Sequence, residues 1–371
     1  MFLYSLLSAN AVDAFAPIAK WLTVGVIVTI IALCTVIFFA RRIVFERCVK
    51  YALIGLFLYL LALSIAFFAL DIAKHYSDEY AQENWLDKQA MVRYLLIPLT
   101  VLLSLAFLSV VAFLVVGKYK PNSKKICAIV GGIFVFSAFV VVLVCLSAYY
   151  NEKIANDGYY NSDTATVKQI ALYLSALLTI ALIVGLAFTD KHHLRFDSRA
   201  LAYAGVCVSM SFALSYIKLW DMPNGGSITL VSLLPLMLFS YAFGAKKGVF
   251  VGLAYGVLQA VQDPWLIHPA QFLLDYPVAF ACAGLAGLFQ RFRKYPQVAF
   301  ALGAVLAGSF RFICHVLSGV FAFEAYAIGQ NPWVYSLVYN AYVFIDVALV
   351  IVAGVFVLSS KSFAKTITKA K

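Results

Sequence analysis

The chain is built from uninterrupted apolar runs of roughly 20 residues, the length a helix needs to cross about 30 Å of hydrocarbon. Trp21–Ala40 and Ile129–Ser147 are two of them. Neither shows the period-two alternation of a transmembrane β-barrel strand. Hydrocarbon offers the backbone no water to bond, so helices are the spanning element such runs can form. Composition agrees: 64% of residues are hydrophobic and 12% charged, against about 25% charged in a soluble domain. These observations define an all-α integral membrane protein.

Five apolar runs precede residue 195, at about 18–40, 49–71, 93–116, 126–148 and 168–189. Six follow, at about 199–217, 228–244, 247–262, 271–290, 296–322 and 333–358. Charge in the connections tests that count. Basic residues gather in every second connection: Arg41, Arg42, Arg47 and Lys50; Lys118, Lys120, Lys124 and Lys125; Lys191, Arg195 and Arg199; Lys246 and Lys247; Arg291, Arg293 and Lys294. With the tail lysines 361, 365, 369 and 371, these clusters hold 20 of the 28 basic residues. The intervening connections carry acids, such as Asp78, Glu79, Glu83 and Asp87, or Glu152, Asp157 and Asp163. Basic connections stay in the cytoplasm. About 11 transmembrane helices, with the N-terminus outside and the C-terminus inside, satisfy the alternation, and the chain is expected in the cell membrane. The net charge of +11 is thereby explained by topology, with no nucleic acid required.

The charged stretch 190–199 divides the chain into a five-span region, residues 1–195, and a six-span region, residues 196–371. No internal repeat links them. The seven cysteines form no CxxC pair and read as small buried hydrophobes. The N-terminus has neither a positive leader nor a small-residue cleavage site before the first run, so that span is expected to stay.

The first region offers almost no polar residue deep within its spans, whereas the second does. Ionisable residues at membrane depth are costly and mark functional sites by default. Asp275, near one end of its span, reads either as a hydrated interfacial carboxylate or as the counter-charge for a cationic ligand. Arg311 and His315 stand four apart and share a helix face. Arg311 can pair with Asp346 of the last span, and His315 is either a packed polar group or a ligand contact. Aromatic residues crowd the expected outer ends: Trp220, Trp265, Tyr276, Phe323, Tyr326, Trp333, Tyr335 and Tyr339. Interfacial belts put rings there too. An aromatic-walled pocket with one carboxylate nevertheless suits a flat heteroaromatic cation, through stacking and cation–π attraction of about 0.5–2 kcal/mol. No HExxH, GxSxG, P-loop or metal-spaced His/Cys set occurs. An enzyme is therefore not expected, and ATP cannot be hydrolysed by this chain itself.

Five ordered strings carry a resemblance: Met-Pro-Asn-Gly-Gly-Ser-Ile-Thr-Leu (222–230), Gly-Leu-Ala-Tyr-Gly-Val-Leu-Gln (252–259), His-Pro-Ala-Gln-Phe-Leu-Leu-Asp-Tyr-Pro (268–277), Arg-Phe-Ile-Cys-His-Val-Leu-Ser-Gly (311–319) and Pro-Trp-Val-Tyr-Ser-Leu-Val-Tyr-Asn (332–340). Residues 199–358 thereby resemble the thiamine-specific substrate-binding (S) component of energy-coupling-factor transporters, the ThiT family. The resemblance implies a six-helix bundle that captures thiamine as transported ligand, with no cofactor, between the outer ends of its last three helices. It places Asp275 against the thiazolium with Tyr276 beside it, and Trp265 at the mouth. His315 and Gly319 fall at pocket positions on the fifth helix of the block, and Tyr335 and Asn340 on the sixth, where the amide can address the aminopyrimidine. Trp220 falls in a capping loop. Two positions depart from the family pattern: Asp275 stands where it has Glu, and Phe323 where it commonly has Trp.

The resemblance further implies docking through Ala200, Ala204 and Cys207, one small-residue face on the block's first helix, whose bland reading is intrachain packing. It implies a transmembrane coupling subunit and two cytoplasmic ATPase subunits as partners, besides membrane lipid. It says nothing about residues 1–195. Two other functions fit the residues: a membrane thiamine sensor or scaffold, and an autonomous proton-coupled transporter titrating Asp346 or His315.

Overall fold

A computed structural model describes residues 11–40, 97–157, 166–223, 225–262, 265, 268–292 and 294–360, with residues 93–94 and part of 48–70. The expected span 49–71 falls partly outside the described residues, and the acidic connection 72–92, Asp163, Arg41, Arg42, Arg47, Lys50, Arg293 and the lysine tail lie wholly outside them. The first region contributes α1 (Ala11–Ala40), α2 (Ile97–Tyr119), α3 (Lys124–Asp157) and α4 (Thr166–Phe188). The second opens with α5 (Ser198–Ser215), followed by a hairpin of β1 (Lys218–Asp221) and β2 (Ser227–Thr229). Then come α6 (Leu234–Phe243), α7 (Ala245–Gln262), α8 (Pro269–Gln290), α9 (Pro296–Ala322), α10 (Pro332–Asn340) and α11 (Tyr342–Ser359). Seven of the described helical segments are long and apolar enough to cross a membrane, α10 and α11 together making one of them. The protein is a multi-pass helical membrane protein.

The sequence marks where these helices begin. Pro235, Pro269, Pro296 and Pro332 each stand in a first turn, where the missing N–H leaves no bond unmade. Asp197 caps α5, accepting from the Ala200 amide at 2.8 Å, and Asn331 caps α10 through the Trp333 amide at 2.9 Å. The α7 amide at Ala245 is taken by a residue from the linker: Asp190 Oδ2 accepts it at 2.7 Å. Burial pushes the Asp190 carboxyl up, but hydrogen bonds from the His192 ring and amide and from Ala245 outweigh it and leave the carboxyl below its usual range. Gln290, at the end of α8, meets His192 Nδ1 at 2.9 Å. The two regions are thus tied together at this end of the bundle.

Two expected spans differ in detail. The run 228–244 begins as β2, and its helix covers only Leu234–Phe243, ten residues or roughly 15 Å at about 1.5 Å per residue. Polar Ser227, Thr229 and Ser232 turn toward a cavity instead of extending the helix, and Gly244 ends it at φ 97°. The run 333–358 is broken between α10 and α11 at Ala341.

Small residues fix the central packing. Gly248, Gly252 and Gly256 recur every four residues along α7 and lay its backbone directly on α8. A Cβ at Gly248 would stand 2.9 Å from the Gly284 Cα, one at Gly252 2.9 Å from the Ala281 Cα, and one at Gly256 2.7 Å from the Pro277 Cα. In lipid, where apolar burial drives helix association weakly, such close approach supplies the dispersion contact. α9 then packs on α8 and α11. Gly252→Val forces the helices apart and is expected to cost about 1–3 kcal/mol, read as a clear fall in melting temperature in detergent. An unchanged melting temperature would contradict the close contact.

Candidate functional site

At one end of the six-helix region, α7, α8, α9, α10, α11 and the hairpin enclose a cavity of about 180 Å³. A single buried water needs about 10–15 Å³ by the same measure, so the space suits a small organic molecule. Its chemistry starts in α8. Leu274–Val278 forms a π turn with Pro277 inside it. Such bulges re-aim side chains and recur at functional sites, and Pro277 removes one amide from the ladder. Asp275 emerges here onto the cavity.

Three donors converge on that carboxylate. Gln271 Nε2 reaches Oδ2 at 2.7 Å, Ser318 Oγ reaches Oδ2 at 2.6 Å, and His315 Nδ1 lies 2.9 Å from Oδ1. A carboxylate accepts, so Nδ1 carries the proton, and a ring neutral in this tautomer has Nε2 as an acceptor. Nε2 is buried and has no hydrogen-bond partner among the described residues.

An ion pair closes the floor. Arg311 NH1 donates to Asp346 Oδ2 at 3.2 Å, while Asp346 Oδ1 accepts from the Thr229 amide at 3.3 Å and the Thr229 hydroxyl at 3.2 Å. The Arg311 guanidinium lies 5.0 Å from the Phe280 ring centroid. The pairing of Arg311 with Asp346, one of the sequence expectations, is present, and it also anchors the hairpin to α11.

Aromatic rings form the walls. Tyr335 and Tyr339 stack at 5.7 Å between centroids, and Tyr339 donates to the Gly225 carbonyl at 2.8 Å. Gly225 and Gly226 take φ of 87° and 84°, values that favour glycine. A Cβ on Gly226 would collide with the Tyr342 hydroxyl, so this turn closes on the cavity only as Gly-Gly. Trp265 sits at the rim: its amide donates to the Tyr276 hydroxyl at 2.8 Å and its carbonyl accepts from Gln271 at 3.0 Å. Gly319 lets α10 approach α9, since a Cβ there would meet the Ser336 hydroxyl. Asn340 Nδ2 is spent on the Ser336 carbonyl at 2.9 Å and the His315 carbonyl at 3.3 Å, which leaves Oδ1 as the group for a ligand donor.

Of the residues singled out in the sequence, Asp275, Tyr276, Trp265, His315, Gly319, Phe323, Tyr335 and Asn340 all line the cavity. Trp220 does not: it is 67% exposed on β1. An irregularity in strand register between Lys218 and Trp220 breaks their alternation, so Lys218 lines the cavity and Trp220 leaves it. The glycine turn, rather than Trp220, is the part of the hairpin that meets the walls. Ala200 and Ala204 are 0% and 8% exposed, inside the main hydrophobic core, with Cys207 half-buried against it. α5 packs on α6 and α7.

The sequence reading missed Gln259, Gln262, Gln271, Ser215 and Ser318. Gln259 Nε2 donates to Gln262 Oε1 and to the Tyr255 hydroxyl, each at 2.9 Å, and Ser215 donates to Gln262 Oε1 at 2.8 Å. The available signal was two glutamines one turn apart in an otherwise apolar helix, expensive in a membrane unless used. Among the described residues no group of three or more His, Cys, Asp or Glu is placed to hold a metal ion. The cavity brings together stacked rings, amides and the Asp275 carboxylate, which has no Lys or Arg partner among the described residues, while Asp346 is paired with Arg311.

Fold and site together define a multi-pass membrane protein with a small-molecule cavity at one end of a six-helix bundle. Residues 201–367 match the family of the thiamine transporter protein (Thia_YuaJ). The thiamine transporter ThiT of Bacillus subtilis (strain 168) is 39% identical over 132 residues, covering 33% of this chain and 68% of that protein. ThiT of Lacticaseibacillus paracasei is 28% identical over 170 residues, covering 40% of this chain and 82% of that one. No solved structure gives a significant match. The chain belongs to the ThiT thiamine transporter family, with an N-terminal region additional to the matched segment.

Arg311→Met leaves Asp346 buried beside two Thr229 donors without its cation, and is expected to cost about 3–5 kcal/mol. Arg311→Met with Asp346→Leu is expected to recover most of that loss in the same thermal unfolding assay. A single variant as stable as the parent would show that the pair carries no structural weight.

Proposed function

We propose that this chain captures thiamine from outside the cell and carries it as the substrate-binding subunit of an ATP-driven energy-coupling-factor transporter. The observation that carries the reading is Asp275, held by Gln271, Ser318 and His315 within a cavity walled by stacked tyrosines. Thiamine pairs a permanent thiazolium cation with an aminopyrimidine that donates and accepts hydrogen bonds. Asp275 supplies the counter-charge, Tyr276, Tyr335 and Phe323 the ring surfaces, and His315 Nε2 and Asn340 Oδ1 acceptors for the exocyclic amine. Trp265 closes the mouth and Gly319 keeps α9 and α10 close enough to form the wall. The names of both relatives support thiamine as the ligand.

The same reading gives the chain 11 spans with the N-terminus outside, so that the cavity faces out and the linker end lies in the cytoplasm. It divides the protein into a five-span region, 1–195, and a six-span binding domain, 196–371. A transmembrane coupling subunit would dock against the exposed side of α5, beside the buried Ala200 and Ala204, and two ATPase subunits would supply the energy. An autonomous carrier that titrates Asp346 is disfavoured, because that carboxylate is engaged by Arg311 and Thr229.

Titration calorimetry of the purified chain tests the central point. The parent is expected to bind thiamine, and Asp275→Asn to bind about 10- to 100-fold more weakly, as loss of a charge-assisted contact worth about 1.5–3 kcal/mol requires. A parent that ignores thiamine, or a variant that binds equally well, would overturn the assignment.

A further inference from the structure

The first turns of α8 have two working faces. Gln271 and Asp275, four apart, look onto the cavity. His268 and Phe272, also four apart, lie on the side turned toward the N-terminal region, and Tyr276, one turn further on, borders both that side and the cavity. Phe272 is fully buried in a cluster with Leu99 and Leu102 of α2, Val142 and Leu146 of α3, and Val257 and Val261 of α7. Tyr276 packs against the same cluster, its ring 5.9 Å from that of Phe272. His268, buried at the N-cap, accepts the Ala270 amide at 3.1 Å and receives the Tyr173 ring of α4 at 4.9 Å, inclined at 64°. Burial pushes the His268 ring down to about 4, so it stays a neutral acceptor at the cap. Leu99 and Leu102 begin α2, Val142 and Leu146 lie late in α3, and Val257 and Val261 end α7. All of these contacts therefore gather at the cavity end of the bundle.

We infer that the N-terminal region is a buttress for the ligand-binding turn: α2, α3 and α4 hold α8 from behind and thereby keep Asp275, Tyr276 and the Trp265 rim in their binding geometry. The line of force is short. Phe272 supports Tyr276, whose hydroxyl takes the Trp265 amide, while Gln271 bonds both the Trp265 carbonyl and Asp275. Phe272 and Tyr173 are positioning residues; neither lines the cavity. Held in this way, the rim opens less often and bound ligand leaves more slowly. The consequence for ligand rests on the thiamine-capture reading, whereas the contact itself does not.

The test uses the full-length chain with two disrupting variants, Val142→Ala/Leu146→Ala and Tyr173→Ala. The first is compared with Val141→Ala/Val144→Ala, a similar truncation on the exposed side of α3, and the second with Tyr173→Phe, which keeps the ring. Amide hydrogen exchange without ligand is expected to rise at residues 268–276 in both disrupting variants and in neither comparison. Residues 310–340 should stay at the parental rate. With labelled thiamine, the dissociation rate is expected to rise about tenfold with little change in association, since such packing changes act mainly through departure. Parental exchange at 268–276 in the disrupted proteins overturns the inference, as does a rise spread equally over 310–340, which would indicate general loosening. Locally raised exchange with an unaltered dissociation rate overturns its consequence for binding. If the parent fails to bind thiamine while exchange still rises only at 268–276, the buttress stands and the ligand assignment falls.

Discussion

A carboxylate inside an apolar bundle is tolerated only when donors converge on it, and the donors to Asp275 come from two helices. Gln271 lies on its own helix, α8, while His315 and Ser318 lie on α9. That requirement sets the register between the helices, and much of the remaining architecture serves it. The π turn at Leu274–Val278 aims the carboxylate, the glycines of α7 let α8 sit deep enough, and Arg311 with Asp346 locks α9 to α11 one turn below His315. The polar groups bond one another because lipid offers nothing else, and His315 and Asn340, which keep Nε2 and Oδ1 as acceptors, both line the cavity.

The sequence made some of this plain and hid the rest for definable reasons. Apolar runs of membrane length identify helices with little ambiguity, so the fold class was legible. Where a run carries polar positions toward a cavity the rule fails: residues 228–244 read as a span, yet Ser227–Thr229 is a strand. Hydropathy measures burial from water, and a site wall is buried without being helical. The pairing of Arg311 with Asp346 could be anticipated because an unpaired cation at depth is so costly. The partners of Asp275 could not, since serine and glutamine look inert one at a time and matter only through helix register.

Two placements have equally physical causes. Trp220 falls in the loop that the resemblance makes a cap, and a register irregularity beside Lys218 turns it to the outside. Ala200 and Ala204 form a small-residue face as expected, and such faces invite any close helix. Here both alanines lie in the chain's own core. The N-terminal region showed no site in the sequence because its side chains act by packing: Val142 and Leu146 are ordinary membrane residues until Phe272 is found between them and the cavity wall.

The claim on which all of this turns is that Asp275 is the counter-charge for the thiazolium of thiamine. The most direct measurement is a structure of the full chain determined with thiamine bound. The account predicts the ligand inside this cavity, its thiazolium within about 6 Å of the tyrosine rings, the range of cation–π contact, and against the Asp275 carboxylate, with its exocyclic amine toward His315 or Asn340. Thiamine located elsewhere on the protein, or held here with its cation turned away from Asp275, would contradict it.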